Sequence, residues 1–272
     1  MNKQDFAFTK FASNLFYKEQ NAHLVNMADL QSGQRVVDLA CGTGGVTRLI
    51  AEHLKGARKS VVIGIDHSSI ALKQAMEDLK DVKESALEFI HSGVERVSDT
   101  VTDSVDAVFF CNAIHYINDK ESLLSDISKT LKPGGKLVFN TSFYDGAHPP
   151  ETMVFARKWM MRASRILRSE HGLRPNKSDK VQSRKQLTPI EYTELLERSG
   201  FRITKQEVAK VQVTLQGWQD ISSFEDFILG VMPGVPLEKA SSALKKAVAQ
   251  VFEEMGVRSV PRNWLDIVAT KA

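Results

Sequence analysis

The residues that could do chemistry fall at fixed spacings in the first half of the chain. Asp38 is followed by Ala40, Gly42, Thr43 and Gly44, and a second acid, Asp66, closes the apolar run at 61–65, with His67 after it. Glycines let backbone approach a ligand closely, and an acid just past a second strand can hold ribose hydroxyls. The combination predicts a pocket for an adenosine-containing cofactor. Its spacing bears on which one. A dinucleotide fingerprint reads Gly-x-Gly-x-x-Gly, and here the third glycine position holds Thr47. Asp38 also stands four residues before Gly42, where a carboxylate would repel a pyrophosphate and tolerate a cationic sulfonium or ammonium. The pattern favours S-adenosylmethionine (SAM) over NAD.

The elements that must position these groups can be read around them. Val36, Val37 and Leu39 form an apolar strand, and Val46, Leu49, Ile50 and Leu54 repeat with helical spacing. Further apolar strands lie at 61–65, 87–91, 105–111 and 135–139. Over 35–143 strand and helix alternate five times, which predicts a parallel sheet with helices on both faces and right-handed crossovers. Ligands of such sheets sit at the carboxyl ends of the strands. That edge gathers 38–44, Asp66, Gly93 and 112–116, so one site is expected there.

At this point the sequence resembles the class I SAM-dependent methyltransferases. Their first motif, acid-x-Gly-x-Gly-x-Gly, stands here as Asp38-x-Ala40-x-Gly42-x-Gly44, with alanine in the first glycine position. Gly64-Ile65-Asp66-His67-Ser68 resembles the second motif, the segment from Val105 to Tyr116 the fourth strand and its active-site loop, and Leu131-Lys132-Pro133-Gly134-Gly135 the turn into the fifth strand. The four segments lie in register over about residues 30–143. The resemblance implies an α/β fold, a doubly wound Rossmann-like seven-stranded sheet with the last strand antiparallel beside the fifth. It implies SAM as cofactor, held by Asp38, Ala40, Gly42, Thr43, Gly44, Asp66, His67, Gly93, Val94 and Asn112. One position departs from the pattern. Where the family often has an acid for the adenine amino group this chain has Gly93, so the contact is expected from the backbone of Gly93 and Val94 or from Glu95.

Composition sets bounds. The chain has 272 residues, 42% hydrophobic and 25% charged, with a formal net charge of +3, ordinary for a globular protein and too small to point to nucleic acid. No apolar run approaches the ~20 residues that cross a bilayer, and the first residues have no signal-peptide core. The expected location is the cytoplasm. The two cysteines, Cys41 and Cys111, read as buried free thiols, and no cluster has metal-ligand spacing.

The remaining segments read as additions to the sheet. Residues 1–34 are expected to be a helical lid with early aromatics that include Phe6 and Tyr17; 35–143 the SAM-binding core; 144–187 a basic helical insertion; 188–216 core again; 217–258 a second insertion of two helices; and 259–272 the final strand. The two insertions are expected to pack together as a cap over the substrate. Between Arg157 and Lys185 there are ten Lys or Arg, and Lys158, Arg162, Arg165 and Arg168 share a helix face opposite Met153, Met160, Ala163 and Leu167. This face reads as a solvated surface, or as a contact for an anionic group, an acidic carrier protein or a second copy of the chain.

Methyl transfer from a sulfonium is an in-line displacement with a neutral leaving group, so alignment does most of the work. An acceptor hydroxyl or carbon acid needs a base. The candidates are His115, Tyr116, Tyr144 and His148, with Asp145 beside them. Candidate substrate contacts are Tyr17, His115, Tyr144, Arg157, Trp159 and Trp218. The apolar residues of the insertions favour a small apolar or aromatic acceptor bearing an anionic group, methylated on oxygen or carbon. The alternatives are an RNA or other macromolecular acceptor, opposed by the lack of an Asn/Asp-Pro-Pro-aromatic loop after strand four, and a SAM-binding protein with other chemistry.

Overall fold

The computed structural model describes residues 8–54, 59–82, 85–176 and 186–272. Phe6, and Lys177, Lys180, Arg184 and Lys185 of the basic segment, lie outside them. The chain divides into two compact units. One comprises Lys18–Gly146, Gln186–Ala209 and Trp264–Ala272; the other comprises Met1–Tyr17, Ala147–Lys185 and Lys210–Asn263.

The first of these, the sheet unit, follows the alternation seen in the sequence: β1 (Arg35–Leu39), α3 (Gly45–His53), β2 (Val61–Asp66), α4 (Ser69–Asp78), β3 (Ala86–His91), α5 (Val97–Thr100), β4 (Val105–Cys111), α6 (Lys120–Thr130) and β5 (Leu131–Thr141). It adds α2 (Leu15–Met27) from Lys18 onward and α8 (Pro189–Arg198), and the strands β6 (Phe201–Thr214, to Ala209 in this unit) and β7 (Ser259–Lys271, from Trp264 in this unit) complete a seven-stranded sheet of order β3-β2-β1-β4-β5-β7-β6. The pairs β1/β2, β1/β4, β2/β3 and β4/β5 are parallel, and β7 is antiparallel to β5. Alternation along β5 shows why both faces are covered. Val138 packs with Leu24 and Met27 of α2 and Ile50 of α3, whereas its neighbour Phe139 meets the ring of Tyr192 on α8 at 5.7 Å. α8 begins on the capping box that its sequence spells: the Thr188 hydroxyl accepts from the Glu191 N–H, and the Glu191 carboxylate accepts from the Thr188 N–H.

The other unit is helical: α1 (Thr9–Ala12), α7 (Met153–His171), α9 (Leu215–Ile221), α10 (Glu225–Val231) and α11 (Leu237–Met255). The two insertions pack together here, α7 along α11, with the Trp159 indole N–H donating to the Leu244 carbonyl at 2.9 Å. Three readings of local structure need correction. The second insertion has three helices, because the Ser222 hydroxyl bonds back to the Trp218 carbonyl at 2.7 Å and the chain turns before Phe224 caps α10. The N-terminal helix is broken at Ser13-Asn14, whose side chains take the carbonyls of Lys10 and Phe11. The buried stripe of α7 is Phe155, Trp159, Ala163, Ile166 and Leu167, while Met153 is exposed. The basic row therefore borders the α7–α11 seam rather than opposing it, and Lys158 and Arg162 both pair with Glu254 of α11.

Candidate active site

The strand-end edge of the sheet unit is shaped by backbone that most side chains disfavour. Ala40, Gly42, Gly44 and Asn112 have φ of +58°, +55°, +81° and +50°. These left-handed residues turn the chain sharply after β1 and after β4. The β1 turn is closed by the Cys41 N–H on the Ile65 carbonyl and the Gly44 N–H on the Cys41 carbonyl. A Cβ on Gly42 would meet nothing within 4 Å, so open space lies over it; a Cβ on Gly44 would overlap the Leu79 side chain.

The two acids take different environments. Asp66 is a strand-end hub: one carboxylate oxygen accepts from the Gly42 N–H and the other from the Ser68 N–H, each at 2.8 Å. His67 is exposed, with its Nδ1 3.5 Å from that carboxylate. Asp38 is buried, and the Thr47 hydroxyl donates to it at 2.6 Å. Burial pushes Asp38 up to about 7, against the Thr47 hydrogen bond and with the nearby Asp66 charge adding to the rise. Thr47, the residue that breaks the dinucleotide fingerprint, thus holds the Asp38 carboxyl in place. Next to β3, the Glu95 carboxyl folds back onto Gly93, into the volume a Gly93 side chain would occupy.

At the end of β4, the Asn112 N–H donates to the Asn140 side chain at 2.9 Å, and the Asn112 side-chain oxygen accepts from the N–H and hydroxyl of Ser142. Its Nδ2 is buried without a protein partner. His115 follows in a 3₁₀ turn (Ile114–Tyr116). Its Nδ1 is hydrogen-bonded with the Thr141 hydroxyl at 3.1 Å, and its ring lies 4.0 Å from that of Tyr116 and 4.5 Å from that of Phe143. Tyr144 is buried with its ring against Gly146. Cys41 and Cys111 are free, and burial pushes both thiols up, which leaves them inert.

Thirteen of the residues singled out from sequence therefore share the sheet unit: Asp38, Ala40, Gly42, Thr43, Gly44, Asp66, His67, Gly93, Val94, Asn112, His115, Tyr116 and Tyr144. Tyr17, His148, Arg157, Trp159 and Trp218 belong to the helical unit. There Tyr17 packs on Phe8 and Phe11, Arg157 is exposed, and Trp159 and Trp218 contact each other and Phe155. His148 Nε2 lies 3.0 Å from Nη1 of Arg262, a buried residue to which no role was given from sequence.

An open glycine shelf, an acid with lone pairs to spare and an unpartnered buried amide fit a ligand with ribose hydroxyls and a polar tail. The comparisons with known proteins agree. Residues 37–137 match the family model described as a methyltransferase domain. Over 122 residues, 45% of this chain, the sequence is 35% identical to phosphoethanolamine N-methyltransferase 2 of Caenorhabditis elegans, and spans 27% of that protein's length. The fold resembles a cyclopropane synthase of Mycobacterium tuberculosis, at 14% identity and a TM-score of 0.57 over 94% of this chain and 84% of that one. It also resembles Haemonchus contortus phosphoethanolamine N-methyltransferase 2 in complex with phosphomonomethylethanolamine and S-adenosylhomocysteine, at 19% identity and a TM-score of 0.56 over 98% and 56%. The glycine turn, the strand-end acids, the strand order and the family match together mark residues 37–137 as a methyltransferase domain of the class I SAM-dependent type.

Proposed function

We propose that this chain methylates a small molecule: an apolar or aromatic acceptor with an anionic group, on oxygen or carbon in preference to nitrogen. The observation that carries the reading is the cradle at the ends of β1 and β2, where open space over Gly42 meets the Asp66 carboxylate. Asp66 would hold the ribose hydroxyls with His67 at its rim. Gly42, Thr43 and Gly44 would pass under the cofactor, Asn112 would donate its spare amide proton to the polar tail, and Gly93, Val94 and Glu95 would line the adenine. SAM, when bound, supplies an electrophilic methyl group.

Among the candidate bases the geometry favours His115. Its ring is oriented by Thr141 and clamped between Tyr116 and Phe143, so its position is fixed before an acceptor arrives. His148 is a poor base. Its Nε2 lone pair is engaged by Arg262, and burial, with the Arg262 charge behind it, holds it down at about 3. Tyr116 and Tyr144 would then line the acceptor site. An anionic group has a precedent in the phosphoethanolamine for which the C. elegans relative is named. If the acceptor is delivered on an acidic carrier protein, the exposed Arg157, Arg165 and Arg168 of α7 would meet it.

The test is calorimetric titration of the protein with S-adenosylhomocysteine and, separately, NADH. S-adenosylhomocysteine should bind and NADH should not. Asp66→Ala should weaken the former by about 10- to 100-fold, the worth of ~1.5–3 kcal/mol for hydrogen bonds to a charged group. Preference for NADH, or an unaffected variant, would overturn the reading.

A further inference from the structure

Within the sheet unit, β7 carries an acid where a central strand ordinarily carries an apolar side chain. Asp266 is 0% exposed and lies between Leu265 and Ile267, both fully buried. It stands opposite Asn140 in the antiparallel register of β5 and β7. Gln20 of α2 donates its side-chain amide to Asp266 Oδ2 at 2.5 Å. Burial raises the carboxyl's pKa most, and the His23 charge and the Asn140 and Gln20 amides pull against it. Neither the cofactor cradle nor the candidate bases use this group, and an apolar residue would fill a strand interior at lower cost.

Hydrogen bonds lead from Asp266 to the strand-end edge. Asn140 accepts the Asn112 N–H twice, at its side-chain oxygen and at its main-chain carbonyl, each at 2.9 Å. Its side-chain amide donates to the Asn21 side-chain oxygen on α2 at 3.0 Å. The two ends of an asparagine side chain have nearly the same shape and opposite polarity, so their partners decide which end faces where. The Asn112 N–H requires an oxygen. On the far side, Asn21 is itself an amide and could turn over together with Asn140. The Asp266 oxygen that Gln20 occupies cannot become a donor. Asn112 has φ +50°, a conformation that persists only where its surroundings hold it. Its side-chain oxygen is fixed by the Ser142 N–H and hydroxyl at 3.0 and 3.1 Å, so its buried, unpartnered Nδ2 keeps one direction.

We infer that Asp266 is a positioning residue for the cofactor site: it sets the polarity of the Asn140 side chain, which holds the Asn112 turn and so aims the Asn112 amide. That this amide meets the cofactor rests on the function proposed above. Asp266→Asn keeps the size of the side chain and removes the one member whose polarity cannot invert. The positions of Gln20, Asn21, Asn140 and Asp266 would then all be amides, able to reverse together. A reversed Asn140 side chain turns N–H groups onto the Asn112 N–H, donor against donor, and the turn loses one of its two acceptors.

The experiment is a double-mutant cycle read by calorimetric titration with S-adenosylhomocysteine. Asp266→Asn and Asn112→Ala should each weaken binding by about 10-fold. The double variant should bind within about twofold of Asn112→Ala, because Asp266 acts through that amide. A merely structural role would make the two losses multiply, and that result, or an unchanged affinity in Asp266→Asn, would overturn the inference. Hydrogen exchange supplies a second readout that needs neither cofactor nor Asn112→Ala. The Asn112 backbone N–H should exchange about 10-fold faster in Asp266→Asn, with the Phe109 N–H in the middle of β4 unchanged. Equal exchange at Asn112, or a rise shared by the whole strand, would also overturn it. Failure of the unsubstituted protein to bind S-adenosylhomocysteine would instead strike the methyltransferase reading, and the exchange result would still decide whether Asp266 holds the turn.

Discussion

Glu95 shows how one residue can fill a position that another has vacated. The family's acid after β3 is replaced by Gly93, and the structure folds the Glu95 carboxyl over that glycine. Gly93 has φ −73° and ψ 153°, a conformation open to any residue, so a side chain is missing there without any demand from the backbone. If Glu95 supplies the adenine contact, Glu95→Ala should weaken S-adenosylhomocysteine by about 10-fold, the scale of ~1.5 kcal/mol for one charge-assisted hydrogen bond. Adding Gly93→Asp to that variant should restore part of the affinity, because it returns a carboxylate to the family's position once Glu95 no longer obstructs it. Calorimetry on the two variants decides the matter. An unchanged affinity in Glu95→Ala would assign the contact to the backbone of Gly93 and Val94.

The same glycine turn contains two residues with similar dihedral angles and opposite surroundings. Gly44 caps α3 against α4, and a Cβ there would overlap Leu79 and lie 3.2 Å from the Ala75 Cβ. Gly42 faces open space. Both would pay ~1–2 kcal/mol for alanine in the left-handed region, but only Gly44→Ala adds overpacking of ~1–3 kcal/mol. Urea unfolding should therefore show Gly44→Ala as the less stable variant. Gly42→Ala should lose more S-adenosylhomocysteine affinity than its stability loss explains. Equal unfolding midpoints for the two would refute this division of labour. Such turns were legible in the sequence because glycine, acid and strand end lie within a few residues of one another. Elements whose register depends on distant partners were not. The phase of α7 is not legible locally: Lys158 and Arg162 have the residue types of a solvent face, and Glu254, some ninety residues on, draws them to a helix seam. Nothing local distinguishes Arg262, a buried arginine at the start of a strand, from an exposed one. Ser222 broke a helix through a backbone contact that its residue type permits but does not require.

At the scale of the whole molecule, burying three titratable groups sets how stability follows pH. Asp38 on β1 and Asp266 on β7 are both pushed up to about 7, chiefly by burial, which in Asp266 outweighs the hydrogen bond donated by Gln20 at 2.5 Å. Between the unfolded value of 3.8 and about 7 the folded chain keeps two protons that the unfolded chain has released, so each group makes stability fall with rising pH by up to about 1.4 kcal/mol per unit. His148 opposes them. Its value drops from 6.5 to about 3, so below 6.5 the unfolded chain takes up a proton the folded chain refuses, and stability rises with pH in that range by a similar slope. Asp29, Asp81, Glu151, Glu170 and Glu254 are lowered by exposed lysine or arginine partners, a stabilisation lost only as pH falls below the ordinary carboxylate range and screened by salt. Two falling slopes against one rising slope leave a net fall from pH 5 to 7, steepest near pH 6 and fading toward 7 as the two carboxyls themselves ionise. Urea midpoints in about 1 M salt, where the Debye length is ~3 Å, should decrease across that range. Asp38→Asn or Asp266→Asn should flatten the decrease, and His148→Asn should steepen it below 6.5. A midpoint that rises toward pH 7 would mean that these carboxylates are ionised in the folded protein. A cationic cofactor beside Asp38 should pull that carboxyl down again, so S-adenosylmethionine binding near pH 7 should release a proton in the unsubstituted protein and none in Asp38→Asn.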